Sequence, residues 1–174
     1  GGGWVGLSAG ISPWSWPVPA MPESVWRRLP EDDDGLIEIC RDALAVPAEA
    51  GCLPVPGSQA ALQCLPRRRA PCRVGVPAPG YAEHARAWSR EGHEVVPLVE
   101  HDIEAALSSL DVLICINPNN PTGRLTARDT LLRWHGELAA RGGWLVVDEA
   151  FLDASAGDSL VPCCRLPGLM VLRS

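Results

Sequence analysis

The chain has no lysine: all fifteen of its cationic side chains are arginine. It therefore carries no side-chain ε-amine, the group that forms imines with carbonyl compounds and whose pKa is readily tuned for base chemistry. Long apolar runs are also missing. Stretches such as Val112 to Ile116 and Trp144 to Val147 fall far short of the ~20 residues that a spanning helix requires, so no membrane segment is expected. There is no C-x-x-C pair, and the seven cysteines are an odd number, so neither a zinc site nor a disulfide framework is indicated. Reduced, mostly buried thiols are expected, with adjacent Cys163 and Cys164 as a minor redox-pair alternative. Positive charge is in deficit: fifteen arginines face twenty-one acids, for a net charge of −6 and a pI near 5.2. That balance argues against binding a nucleic-acid backbone or an anionic membrane surface, and leaves small-molecule chemistry as the expected business of the chain.

What is present suits one globular domain: 174 residues, 47% apolar, with mean hydropathy +0.05. Residues 1–30 are rich in Pro, Gly and Trp, which disfavours regular structure apart from a short helix opening at Pro22. This segment reads as an arm whose tryptophans need a surface to cover, in the same chain or in a partner subunit. After the acidic run Glu31 to Asp34, helical spacing of Leu36, Ile37, Ile39, Cys40 and Leu44 predicts a helix over about 35–45. From residue 52 short apolar runs alternate with amphipathic stretches: Cys72 to Val76 then Tyr81 to Glu91, Val95 to Leu98 then Asp102 to Leu110, Val112 to Ile116 then Thr126 to Arg141, and Trp144 to Val147. Gly92 and Gly142 stand where helix C-caps belong. Strands separated by helices require crossovers, so the expected fold is α/β, a mostly parallel sheet with helices on both faces, with ligands beyond the carboxyl ends of its strands. A dinucleotide-binding domain would suit the alternation, but G-x-G-x-x-G between a first strand and helix is missing.

Candidate site residues gather at those strand ends. Asp148 closes the run Trp144 to Val147, and a carboxylate buried there needs a cationic partner. The loop Asn117 to Gly123, NPNNPTG, follows Val112 to Ile116 and is dense in turn formers. Gly57, Ser58 and Gln59 precede a helix over Ala60 to Leu65; backbone amides at a helix start plus a hydroxyl suit a phosphate, although Ser58 would equally serve as an ordinary cap. Tyr81 is the only tyrosine and follows the run Cys72 to Val76. His84, His93 and His135 fall in helical stretches or helix ends, where solvated or packed roles suffice.

Three motifs in order, NPNNPTG (Asn117 to Gly123), VVDEAF (Val146 to Phe151) and VLRS (Val171 to Ser174), resemble the cofactor pocket of the fold-type-I pyridoxal-phosphate enzymes, the large aminotransferase group. The strings LSAGISPWSWPVP (Leu7 to Pro19), WRRLPEDDDGL (Trp26 to Leu36), PGSQAAL (Pro56 to Leu62) and RVGVPAPGYAEHARAW (Arg73 to Trp88) are most similar to its threonine-phosphate decarboxylase branch, itself related to histidinol-phosphate aminotransferases. The resemblance implies that Asp148 pairs with the pyridine nitrogen of pyridoxal 5'-phosphate, Asn120 bonds its phenolic oxygen, Tyr81 stacks on its ring, and Gly57, Ser58, Gln59 and Ser174 hold its phosphate. It implies decarboxylation of threonine phosphate to aminopropanol phosphate in cobalamin biosynthesis, by a cytoplasmic homodimer acting on a small amino-acid phosphate. The alternatives are an aminotransferase of the histidinol-phosphate type and a non-enzymatic cofactor-binding or association fragment.

The departures from the family pattern are specific. Phe151 stands where many relatives place a tyrosine on the phenolic oxygen, Leu29 to Leu36 lacks the tyrosine that reaches a neighbour's phosphate, and Ser12 replaces an asparagine of the arm. In such relatives VLRS is followed almost at once by the Schiff-base lysine. The chain is therefore expected to be an N-terminal fragment, an arm (1–30) and a partial large domain (31–174), inactive alone.

Overall fold

The computed structural model describes residues 14–27, 29, 31, 34–152 and 158–174. The chain divides into two compact units, Gly1–Asp34 and Gly35–Ser174. The described part of the first contains one short 3-10 helix, Glu23–Trp26, opened by Pro22 as its spacing predicts, with Arg27 bridging back to Glu23 at 2.9 Å. Its tryptophans 14, 16 and 26 are 82%, 79% and 76% exposed. Trp4, Ser12 and the acidic residues Asp32 and Asp33 lie outside the described residues.

The second unit is an α/β layer. In chain order it holds α1 (Leu36–Leu44), α2 (Ser58–Cys64), β1 (Arg73–Pro77), α3 (Ala82–Arg90), β2 (Glu94–Leu98), α4 (Ile103–Ala106), β3 (Val112–Ile116), α5 (Arg128–Ala139), β4 (Trp144–Asp148) and β5 (Leu169–Leu172). All five strands are parallel, in the order β2-β1-β3-β4-β5. The chain leaves β1 towards β2 on one side, then crosses to β3 and builds outward through β4 and β5 on the other. That reversal creates a switch point between β1 and β3, where a parallel sheet opens a crevice at its carboxyl edge.

Strand alternation sorts the core into two faces. Leu113, Cys115, Leu145 and Val147 pack with Leu131, Trp134 and Leu138 of α5 and Leu107 beyond α4. Val112, Ile114 and Val146 point the other way, against Val74, Val76 and Trp88 of α3. Burial on both faces explains why β3, VLICI, is apolar at every position.

Where elements begin or stop differently from expectation, a side chain takes a backbone group. The stretch 102–110 is α-helical only over Ile103–Ala106, flanked by 3-10 turns. The Ser109 hydroxyl donates to the Ala106 carbonyl at 2.8 Å, competing with helix continuation. Helix α5 starts at Arg128 rather than Thr126 because Thr126 N–H donates to Asn117 Oδ1 at 2.7 Å and its carbonyl accepts Asn117 Nδ2 at 3.1 Å. Residues 51–55 have no regular structure, and α1 ends on Ala45 at φ 53°, in agreement with the helix expected over about 35–45. There Arg41 fastens the following turn by donating to the carbonyls of Pro47, Ala48 and Ala50, each at 2.8 Å.

Strand β5 begins after Gly168, whose φ of +78° is left-handed and whose missing Cβ would lie 2.6 Å from the Gly143 carbonyl oxygen. Gly168→Ala is expected to cost about 1–2 kcal/mol from the backbone conformation alone, more with the clash. A urea midpoint equal to wild type would contradict this.

Candidate active site

The carboxyl ends of β1, β3 and β4 meet through backbone and side-chain bonds. Asn117, just past β3 and fully buried, donates its N–H to the Asp148 carbonyl at 2.8 Å. Its side chain makes the reciprocal pair with Thr126 that closes the loop. Asn119 then ties this loop to the segment after β1: its Nδ2 donates to the Pro79 carbonyl at 3.0 Å and to Thr122 Oγ1 at 2.9 Å. Asn120, half-buried in the same loop, makes no side-chain hydrogen bond among the described residues.

Asp148 ends β4 with only 6% of its surface exposed. Its Oδ1 accepts the Ala150 N–H at 3.0 Å, and its Oδ2 lies 2.8 Å from Nε2 of His84, itself 1% exposed. A carboxylate only accepts, so the imidazole carries its hydrogen on Nε2 and donates it. His84 sits on the first turn of α3, three residues after Tyr81, whose ring meets the imidazole edge-on at 6.3 Å between centroids. Tyr81 is 41% exposed, and its hydroxyl donates to Gln59 Oε1 at 3.4 Å. Gln59, Tyr81, His84 and Asp148 thus form one connected series across α2, α3 and β4. The sequence suggested only a solvated or packed histidine at position 84; its partner lies 64 residues away. Three-residue spacing after a strand-end tyrosine was the available signal.

Gly57, Ser58 and Ser174 come together elsewhere on this edge, in a cavity of about 460 Å³ lined also by Cys52, Val171 and Arg173. Helix α1 forms one wall through Leu36, Cys40 and Leu44. Arg173 bridges at 3.3 Å to Glu149, which is wholly buried, while the buried Arg173 Nε–H has no partner among the described residues. Sequence reasoning passed over Glu149 and Arg173; the pairing of Asp148 with Leu172 sets the next residues side by side. A smaller cavity of about 360 Å³ lies against Pro79, Asn119 and Trp134. It contains none of Asp148, His84 or Ser58, and its charged residues Glu100 and Arg124 are paired with each other.

All seven cysteines are free. Burial pushes the Cys115 thiol up to about 12, and burial, then Glu149 and Cys163, pushes Cys164 up to about 11. Both are almost entirely protonated, hence poor nucleophiles, at neutral pH. Cys115 is expected to resist maleimide labelling until the protein is unfolded; labelling of the native protein at the rate of exposed Cys64 would contradict its burial.

A parallel sheet with a buried carboxylate at the end of an interior strand, an exposed aromatic ring near it and a largely apolar cavity at the same edge that includes Ser58 and Ser174 is an arrangement of the fold-type-I class. The residues fit pyridoxal phosphate: Asp148 can face a cationic ring nitrogen, and Ser58, Ser174 and the Arg173 guanidinium, whose Nε–H has no partner among the described residues, stand at a cavity able to take an anion. Residues 36–170 match the sequence profile of aminotransferase class I and II, and the chain belongs to this family of pyridoxal-phosphate-dependent enzymes. It is 54% identical, over 98% of its length and 51% of the relative's, to a threonine-phosphate decarboxylase of Pseudomonas aeruginosa. Against a threonine-phosphate decarboxylase of a Sinorhizobium species it is 40% identical over 86% of this chain and 45% of that protein. The crystal structure of L-threonine-O-3-phosphate decarboxylase from Porphyromonas gingivalis superposes with a TM-score of 0.72 at 26% identity, covering 85% of this chain and 48% of that one. The chain spans about half the length of the curated relatives it matches. Among the described residues no helix is long and apolar enough to cross a membrane.

Proposed function

We propose that this chain is the arm (1–30) and part of the cofactor-binding large domain (31–174) of a pyridoxal-phosphate-dependent decarboxylase that converts threonine phosphate to aminopropanol phosphate in cobalamin biosynthesis. The observation that carries the reading is the buried Asp148 carboxylate at the end of β4, with His84 fixed on one oxygen at 2.8 Å. The bound cofactor supplies the electron sink for the electron pair left behind when carbon dioxide departs. Asp148 stabilises the positive charge at the ring nitrogen, and His84 holds the carboxylate in the orientation this needs. Tyr81 offers its exposed ring as a stacking plane, and Asn120 offers its side-chain amide to the phenolic oxygen. Gly57, Ser58, Gln59 and Ser174 take the phosphate.

The protein acts as a cytoplasmic homodimer, a reading supported by three tryptophans of the arm that are each more than three-quarters exposed. The test is to read the gene beyond the Ser174 codon and assay the whole product. A lysine codon within the next few positions and release of carbon dioxide from threonine phosphate are expected. A stop codon there would overturn the reading, and amino transfer from histidinol phosphate in place of decarboxylation would overturn the reaction assigned.

His84→Ala removes a hydrogen bond to a charged group, an interaction of about 1.5–3 kcal/mol. It is expected to lower kcat by roughly 10–100-fold with little change in KM, while His84→Gln recovers part of the loss. Equal kcat for wild type and His84→Ala would show that the imidazole does not orient Asp148.

A further inference from the structure

Adjacent acids at the end of β4 serve different neighbours. Asp148 faces His84, whereas Glu149, wholly buried, turns towards the end of β5 and the segment 158–163. The β4–β5 ladder continues one step past the strand, with Glu149 N–H donating to the Leu172 carbonyl at 2.9 Å. The Glu149 side chain then draws in three groups. Oε1 accepts the Leu160 N–H at 2.8 Å; Oε2 accepts the Ser159 hydroxyl at 2.7 Å and an Arg173 guanidinium hydrogen at 3.3 Å. The same guanidinium nitrogen reaches the Glu149 carbonyl at 3.3 Å, and Ser159 Oγ in turn accepts the Val161 N–H at 3.2 Å.

Every segment tied by this carboxylate contributes to the cavity at Ser58. Arg173 and Ser174 line it from the end of β5, and Val161 and Cys164 line it from the tied segment. Glu149 does not line it. A buried carboxylate satisfied by a backbone amide, a hydroxyl and a guanidinium is costly to disturb, because loss of any partner leaves charge without compensation. Such a group fixes geometry more than it adds net stability. The guanidinium it anchors keeps one buried donor, Nε–H, that has no partner among the described residues, beside the cavity.

We infer that Glu149 is a positioning residue for the phosphate end of the cofactor pocket, acting through Arg173 and the Ser159 segment to hold the cavity wall that carries Ser174. This rests on the function proposed above. The two neighbouring acids then have separate roles, Asp148 at the ring and Glu149 at the phosphate. A role confined to general stability would weaken binding of phosphorylated and unphosphorylated ligands alike. Positioning of the phosphate end weakens only the former.

The experiment compares pyridoxamine 5'-phosphate with pyridoxamine, two ligands that need no lysine, by equilibrium dialysis against the lysine-containing whole protein stripped of cofactor. Wild type is expected to prefer the phosphorylated ligand. Glu149→Gln is expected to lose about tenfold of that preference with pyridoxamine affinity unchanged, and the phosphorus resonance of the bound ligand should shift. Ser159→Ala, which removes one hydroxyl and leaves the ion pair, is expected to lose roughly threefold, and it decides the matter if Glu149→Gln does not fold. Wild-type preference retained in full by the variants, with an unshifted resonance, overturns this inference alone. No preference in wild type overturns the proposed function itself.

Discussion

On the function proposed above, Asp148→Ala in the whole protein is expected to slow decarboxylation of threonine phosphate by about 10²–10⁴-fold. Removing one member of a buried charge pair costs about 3–5 kcal/mol, and each 1.36 kcal/mol added to the barrier is tenfold in rate. Both oxygens of this carboxylate are already directed, one by the Ala150 N–H and one by His84, so little reorganisation remains when a cationic ring nitrogen arrives. Asp148→Asn preserves volume and the Ala150 contact but not the charge; its rate should fall nearly as far, which separates charge from shape. KM for threonine phosphate should change little, because in the proposed function the carboxylate addresses the cofactor and not the substrate. A kcat within twofold of wild type for either variant would remove Asp148 from the chemistry.

Trp88→Ala is the substitution expected to cost most in stability. The indole is 1% exposed and fills one face of the sheet against Val74, Val76, Val112, Ile114 and Val146. Its ring meets His93 edge-on at 4.6 Å, and His93 Nδ1 accepts the Cys72 N–H at 3.1 Å while its other ring nitrogen lies 3.0 Å from the Pro66 carbonyl. Truncating a buried tryptophan costs about 3–5 kcal/mol in lost transfer energy and residual cavity, against a total of about 5–15 kcal/mol for a typical domain. A fall in Tm of about 6–20 °C follows for a domain of this size. Because α3 also carries His84, activity should fall below what the loss of folded protein accounts for. A destabilisation under about 1 kcal/mol would show that the face repacks without the indole.

Elements whose signal is local were legible in the sequence. The strand Val112–Ile116 has the bounds its apolar run predicts, and Gly92 and Gly142 adopt the positive φ expected of helix ends, 83° and 69°. Parallel pairing followed from the alternation of strands with helices. Strand β5 was not legible: of its four residues after a glycine only Val171 and Leu172 were read, as part of a motif, and all four become a strand because β4 offers an unpaired edge. The site divides in the same way. Asp148 was evident from its place at the end of a buried run. The partners of Asp148 and Glu149 depend on packing of α3 against β4 and on the register of β4 with β5, contacts made across tens of residues. His84 therefore looked like any helical histidine, and Glu149 carried no signal of its own beside Asp148.

The most direct test of the pairing between Asp148 and the cofactor is nitrogen NMR of the whole protein loaded with pyridoxal phosphate labelled at the ring nitrogen. In wild type the nitrogen should remain protonated at mildly alkaline pH, where the free cofactor loses that proton, and in Asp148→Ala it should be deprotonated under the same conditions. A nitrogen that titrates alike in both proteins would mean that the carboxylate at the end of β4 never faces the ring.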